Sequence, residues 1–468
     1  MTTSIQPSIV STTGIEAISQ LRDYYNTGAT RPYAFRRQKL LGLKQALLKY
    51  EQEINEALYT DLKKSAEESY GTEIGLVLAD INLALKNLHK WMKPQRTATN
   101  LVNLPSSSTI YRDPLGVVLI IAPWNYPFQL SMIPLIGAIA GGNCAVIKPS
   151  ELAPATASII EKIIQETYPP EYIKALQGDG AVIIPAAMNS FRFDHIFYTG
   201  SIPVGKIIYQ LAASALIPVT LELGGKSPAI IESDANLRVA ARRVVMGKFI
   251  NAGQTCVAPD YLLVHTSIKA RFVEELKKTI NDFFGDDSST SYSYGKIINE
   301  KRFDALINYL SQGRVISGGQ YDKSKLFIAP TIVDDVPLDA PLMREEIFGP
   351  ILPVHGFTEM SEALSIIQRN PDPLSFYVFT SNSKKEKEWI EAISFGSGCV
   401  NNTAWQFANH HLPFGGIGYS GIGAYHGKYS FDVFTHAKPV MKTPCWLDPD
   451  IKYPPFNGKM KWFKWFIR

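Results

Sequence analysis

Short β-branched runs separated by helix-like stretches constrain this 468-residue chain more than any other feature. Val117-Val118-Leu119-Ile120-Ile121, Cys144-Ala145-Val146-Ile147, His195-Ile196-Phe197-Tyr198 and Val219-Thr220-Leu221-Glu222-Leu223 are four such runs. Each reads as a strand covered on both faces. Helical patterns over 155–167 and 204–213 lie between them. Strands alternating with helices make a parallel α/β sheet. A second alternation follows: helix over 236–250, strand at 261–264, helix over 268–284, strand at 351–354, helix over 361–368, strand at 375–379. The fold class is therefore α/β, with two parallel-sheet domains joined near Glu222–Gly225.

Residues 16–92 show leucine spacing that predicts helices. Two polar β-like segments, about 100–112 and 430–442, fit neither domain and read as a small bridging element. The expected boundaries are 1–98 with 114–222 for the first domain, 223–425 for the second, 99–113 with 426–445 for the bridge, and 446–468 for a tail. The uncharged, Ser/Thr-rich start, 1–15, lacks the basic and apolar regions of a secretory signal and reads as a loose arm. The apolar stretch 115–147 is broken by Pro123, Pro127, Pro134 and Gly141-Gly142, which favours strand, turn and helix over a membrane span.

Several function classes fall away. A formal net charge of +4, evenly spread, argues against a nucleic-acid partner. Four scattered cysteines without a Cys-x-x-Cys fit a reducing, cytoplasmic compartment rather than a disulfide framework. No His-Glu-x-x-His occurs, and adjacent His410 and His411 would point to opposite sides of a strand, so no metal site is expected.

The chemistry centres on one thiol. Cys256 lies in Asn251-Ala252-Gly253-Gln254-Thr255-Cys256-Val257-Ala258-Pro259, among small and turn-forming residues. Glu222, beside Gly224-Gly225, is a candidate base, since an acid between two leucines near a strand end needs a reason to be there. Gly416-Ile417-Gly418-Tyr419-Ser420-Gly421 matches Gly-x-Gly-x-x-Gly literally, but no strand precedes it and no acid follows at the required distance, so it reads as a glycine loop. Gly200-Ser201-Ile202-Pro203-Val204-Gly205 follows a strand and opens a helix, as a pyrophosphate turn does and as an ordinary strand–helix turn also does. Lys148-Pro149-Ser150-Glu151 sits at a strand's carboxyl end, where Lys148 and Glu151 hold ribose hydroxyls or the segment caps a helix.

Together these strings resemble the aldehyde dehydrogenase superfamily, in its order and spacing, over roughly residues 15 to 445. The matching strings are Pro123-Trp124-Asn125-Tyr126-Pro127, Lys148-Pro149-Ser150-Glu151, Phe197-Tyr198-Thr199-Gly200-Ser201, Glu222-Leu223-Gly224-Gly225-Lys226, Gly253-Gln254-Thr255-Cys256, Glu345-Glu346-Ile347-Phe348-Gly349-Pro350 and Pro413-Phe414-Gly415-Gly416. The short N-terminus, Ala258-Pro259-Asp260-Tyr261 and the C-terminal extension resemble the class-3 and fatty aldehyde dehydrogenase branch. The resemblance implies that Cys256 captures an aldehyde, that hydride leaves to a nicotinamide, and that Glu222 activates water to release the acid. It implies Asn125 and the Cys256 backbone N–H as oxyanion donors. It assigns Trp124, Lys148, Glu151, Gly200, Ser201, Gly205, Leu223, Glu346 and Phe348 to the cofactor, and Tyr126, Met132 and Trp405 to a substrate tunnel. NAD is the expected cofactor because Glu151 at the ribose repels a 2′-phosphate, with NADP also possible. A homodimer through the bridging strands is implied too. The alternatives are a cofactor-independent cysteine thioesterase or esterase, and a non-catalytic binding protein on the same fold.

The tail 452–468 holds five basic residues, no acid and several aromatics. A helix over its last nine residues reaches only ~14 Å, too short to cross a bilayer. It reads as an interfacial helix, as a segment docked on its own fold or a partner, or as a roof over the tunnel that also grips lipid. Together with the branch resemblance, the tail points to long, apolar aldehydes, fatty or isoprenoid-derived, and to a peripheral membrane position.

Overall fold

The computed structural model describes residues 18–467, so the reading of the first fifteen residues lies outside the described part. Two large sheets organise the chain. The first has six strands in the order Gly421–Ile422, Val219–Glu222, His195–Thr199, Val117–Ile121, Cys144–Lys148, Ile173–Ala175. The last five run parallel, and the four strands read from sequence are among them. Val117–Ile121, Cys144–Lys148 and His195–Thr199 are buried along their whole length, which is why they read as unbroken apolar runs. The second sheet has seven strands in the order Arg314–Ser317, Thr331–Asp334, Ile351–Phe357, Tyr261–His265, Pro228–Ile231, Ser375–Phe379, Ser397–Val400. All its pairings are parallel except that of Arg314–Ser317 with Thr331–Asp334.

A three-stranded antiparallel sheet joins Gln95–Thr97, Ser107–Pro114 and Thr435–Lys442. The sequence marks the second and third of these but not the first. It also misplaces the start of the third: 430–433 is helical, within Lys428–Val433. Phe431 and Phe434 are buried three residues apart, a helical spacing. This helix packs so closely on helix Gln129–Gly141 that a Cβ on Gly137 would fall 2.8 Å from Ser430 Cβ.

The Gly416–Gly421 segment carries no phosphate-loop geometry. It forms a short 3-10 turn, Gly418–Ser420, and an edge strand whose Gly421 pairs with Glu222. Ser420 O accepts from Leu223 N at 3.0 Å, so this loop braces the strand end that presents Glu222.

His410 and His411 occupy a turn, not a strand, with ring centroids 4.5 Å apart.

Candidate active site

Cys256 is held by a loop that starts where helix Leu237–Phe249 ends. Asn251 and Ala252 adopt left-handed backbone angles, φ 52° and 51°, costly for residues with a Cβ. Hydrogen bonds fix them there. Asn251 N–H donates to Glu68 Oε1 at 2.9 Å, and Asn251 Nδ2 donates to Asn125 O at 2.8 Å. Gln254 ties the loop down at three points: its Nε2 donates to Asn251 O and Lys296 O, and its Oε1 accepts from Ile298 N. Gly253, with φ 75°, lies so near the Gly349 carbonyl that a Cβ would fall 2.3 Å from that oxygen. On either side of the thiol, the Thr255 and Tyr126 hydroxyls are 2.6 Å apart and Tyr377 OH donates to Val257 O at 2.6 Å.

Asn125 faces this loop. Its Nδ2 donates to Gln254 O at 3.0 Å, which uses one amide hydrogen and leaves the other for a ligand. Beneath it lies a buried ion pair that the sequence reading missed. Lys64 Nζ sits 2.5 Å from Glu73 Oε1, with both side chains fully enclosed. Glu73 Oε2 accepts from Phe128 N and Gln129 N and so caps helix Gln129–Gly141. Lys64 donates to Asn125 O at 3.1 Å and stands 3.9 Å over the Tyr126 ring. The available signal was a lone acid, Glu73, inside a helix-like apolar pattern.

Glu222 ends its strand almost wholly buried, and neither carboxylate oxygen has a hydrogen-bond partner. Burial pushes its pKa well above the ordinary carboxylate value. The Cys256 thiol is pushed up to about 12 by burial, then by the charges of Glu346 and Glu222. Both carboxylates thus act on the sulfur. Without a proton acceptor the sulfur stays a thiol at neutral pH.

Glu346 approaches through a gap that only glycine leaves: a Cβ on Gly224 would fall 2.0 Å from Glu346 Oε2. Burial, then the charge of Asp260, raises Glu346 to about 8. Asp260 pairs with Lys226 and accepts from Ile347 N at 3.1 Å, fixing the strand-end turn before Phe348. Trp124 and Phe348 meet edge to face at 5.3 Å.

The cofactor candidates line the carboxyl edge of the six-stranded sheet. Thr199 and Glu222 end adjacent strands there, and Lys148 ends a strand on the far side of Val117–Ile121. Lys148 Nζ donates to Glu151 Oε2 at 2.8 Å and to Pro149 O at 2.6 Å. Burial raises the Glu151 carboxyl, but the Lys148 bond and backbone donors outweigh it and leave its pKa below the usual value. Ser201 precedes helix Ile202–Ser214 without capping it by its side chain, so the first-turn N–H groups keep room for an acceptor. Thr199 Oγ1 is buried without a partner. A Cβ on Gly205 would strike Leu223 Cδ2 at 2.6 Å, so Gly205 lets the helix close on that strand end. An uncapped helix start, an orphaned hydroxyl and a lysine–carboxylate pair at a strand-end crevice fit a dinucleotide.

Cys256 opens into a cavity of about 410 Å³ whose walls include Tyr126, Leu130, Val257, Phe407, Phe414 and Tyr425. Of the three tunnel candidates only Tyr126 lines it. Met132 is fully buried in the core: a helix turns ~100° per residue, which puts it on another face from Leu130. Trp405 is 50% exposed, and Phe407 from the same 3-10 turn takes its place in the wall.

A family model for the aldehyde dehydrogenase family matches residues 11–440, and the chain belongs to that family. It is 46% identical over 447 residues to 4,4'-diaponeurosporen-aldehyde dehydrogenase of Staphylococcus aureus, covering 95% of this chain and 97% of that one. It is 42% identical to aldehyde dehydrogenase family 3 member B1 of Rattus norvegicus, covering 95% of each. The solved substrate-bound state of Staphylococcus aureus AldH aligns with a TM-score of 0.94 at 45% identity, covering 97% of this chain and 99% of that one. The chain is thus an oxidoreductase that acts on aldehydes, in a family that uses NAD or NADP.

Proposed function

We propose that the chain oxidises long, apolar aldehydes to carboxylic acids, with Cys256 as nucleophile, Glu222 as base and Asn125 as oxyanion donor. One observation carries this reading: a thiol at the head of an apolar-walled cavity, with an unpartnered buried carboxylate whose charge acts on it. The thiol proton must leave as sulfur attacks the carbonyl carbon, and Glu222, with its raised proton affinity, is the acceptor. The second N–H of the Asn125 amide and the Cys256 backbone N–H hold the tetrahedral oxygen. NAD or NADP, when bound, accepts the hydride that takes the adduct to the acyl level. Once the thiol proton has passed on to solvent, Glu222 draws a proton from the water that attacks the thioester, and the departing sulfur is reprotonated as the acid leaves.

In this reading Trp124, Lys148, Glu151, Gly200, Ser201, Gly205, Leu223, Glu346 and Phe348 hold the cofactor. Lys148 and Glu151 face the ribose hydroxyls, and the half-exposed Glu151 carboxylate disfavours a 2′-phosphate. Residues 1–98 with 114–222 form the cofactor domain, 223–425 the catalytic domain, and 99–113 with 426–445 the bridge. The substrate class is supported by the apolar cavity, by the aldehyde named for the Staphylococcus aureus relative, and by the tail.

The tail forms helix Met460–Phe466, with Trp462 and Trp465 more than half exposed and Lys459, Lys461 and Lys464 among them. No helix among the described residues is long and apolar enough to cross a membrane. Peripheral contact with a membrane from the cytoplasmic side fits that composition. Strand Thr435–Lys442 leaves an exposed edge eight residues long, which a second copy would cover in a homodimer.

A kcat/KM panel of aldehydes from short to long, with both cofactors, tests the reading. We expect kcat/KM to rise with chain length, and deletion of 452–468 to flatten that rise and abolish liposome binding. Equal turnover of short and long aldehydes would remove the substrate class; an unchanged profile and unchanged liposome binding after the deletion would remove the tail's role.

A further inference from the structure

Next to the catalytic cavity lies a second one, of about 320 Å³. The two share Gln129, Phe407 and His426, and the second holds none of the catalytic or cofactor residues above. Its unusual member is Asp80. The Asp80 carboxyl is more than nine-tenths buried, makes no ion pair among the described residues, and accepts one hydrogen bond, from Gly427 N at 3.3 Å to Oδ1. Its other oxygen takes no hydrogen bond from the described residues, so the cavity side of the carboxyl is free to meet a ligand.

His426 supplies a second unclaimed acceptor. Its Nδ1 lies 2.8 Å from Phe407 O, and a carbonyl only accepts, so Nδ1 carries the hydrogen. Nε2 of the neutral ring is then a lone pair, buried and without a partner. Stacking on Phe414 at 5.2 Å and edge contact with Tyr425 at 4.2 Å hold the ring in place. Burial lowers the His426 pKa to about 4, which keeps the ring neutral, and raises the Asp80 carboxyl to about 7.

We propose that Asp80 and His426 form a subsite for a hydroxyl carried along the chain of the aldehyde whose carbonyl sits at Cys256. A hydroxyl donates its one hydrogen to the His426 Nε2 lone pair and offers its oxygen to the Asp80 carboxyl when that is protonated, whereas a plain hydrocarbon chain pairs with neither. His410 lines the same cavity. The proposal rests on the apolar-aldehyde reading and narrows it to oxygenated chains.

The test compares a straight-chain saturated aldehyde with mono-hydroxylated counterparts, the hydroxyl walked along the chain to its end. The wild-type enzyme should favour one hydroxyl position by about tenfold in kcat/KM over the unsubstituted aldehyde. His426→Phe keeps the ring stack and should erase that preference. Asp80→Asn keeps an acceptor for Gly427 and turns a donor toward the cavity, so it should shift preference from the hydroxyl to a keto group at that position. This second variant decides the matter if the first fails to fold. Equal treatment of hydroxylated and plain long aldehydes at every position, or a preference untouched by both variants, overturns the subsite alone. Turnover confined to short aldehydes overturns the substrate class and the subsite together.

Discussion

Glu73, beneath Asn125, and Glu222, whose charge acts on the thiol, are two buried acids with opposite surroundings. Glu73 is fully enclosed and accepts from Lys64 at 2.5 Å, Phe128 N at 2.9 Å and Gln129 N at 3.1 Å. Glu222 is nearly as enclosed and accepts from nothing. Burial alone therefore does not distinguish a structural carboxylate from a reactive one. The count of hydrogen bonds does: a satisfied acid is fixed in charge and place, and an unsatisfied one keeps its proton affinity for chemistry.

The sharpest way to break that contrast is Glu222→Gln. If Glu222 is the base, kcat falls by roughly 10²–10⁴-fold. Its raised pKa also gives a stability signature. The folded state holds the Glu222 proton more tightly than the unfolded state, so the wild-type loses stability as pH climbs above the unfolded value of 4.5 toward the folded one. The variant lacks that loss. Melting temperatures should coincide near pH 4 and separate at pH 8, with the variant higher. A variant that melts lower at pH 8 would mean Glu222 has partners and belongs with Glu73.

Glu73→Gln probes the other side of the contrast. It leaves Lys64 charged and buried, which costs about 3–5 kcal/mol of folding stability, measurable by urea unfolding. Lys64 also holds Asn125 O, so the folded fraction should lose kcat through a displaced oxyanion donor more than it loses KM. A stability change under about 1 kcal/mol would show that the pair does not hold this wall.

This contrast also marks what the sequence could convey. The strands of the six-stranded sheet were legible because burial on both faces leaves unbroken apolar runs, and Val117–Ile121 and His195–Thr199 stand where those runs lie. Cys256 and Glu222 stand in motifs visible in the sequence, and the fold brings them close enough for the Glu222 charge to act on the thiol. Lys64 and Glu73 were not, because their meaning depends on N–H groups more than fifty residues away. Helix Lys428–Val433 was misread because polar residues masked the spacing of Phe431 and Phe434. Met132 was misassigned because a motif fixes which residues are near a site and not which helical face they occupy.

The smallest effect concerns Glu346, an acid between the two extremes. It is half-buried, and its pKa lies near 8. Its charge is the largest influence on the Cys256 thiol after burial itself. Glu346→Gln removes that charge and should lower the thiol pKa. With no cofactor present, alkylation of Cys256 by iodoacetamide should then speed up, by as much as about tenfold for each unit the thiol pKa drops. The pH dependence carries the sign. Below pH 8 the wild-type Glu346 is mostly protonated and repels nothing, so the two enzymes should react alike. Above pH 8 it ionises, the wild-type thiol is held back, and the rates should diverge. A gap that is constant across pH, or that closes as pH rises, would mean Glu346 and the sulfur do not share the enclosed space that sets Glu222 apart from Glu73.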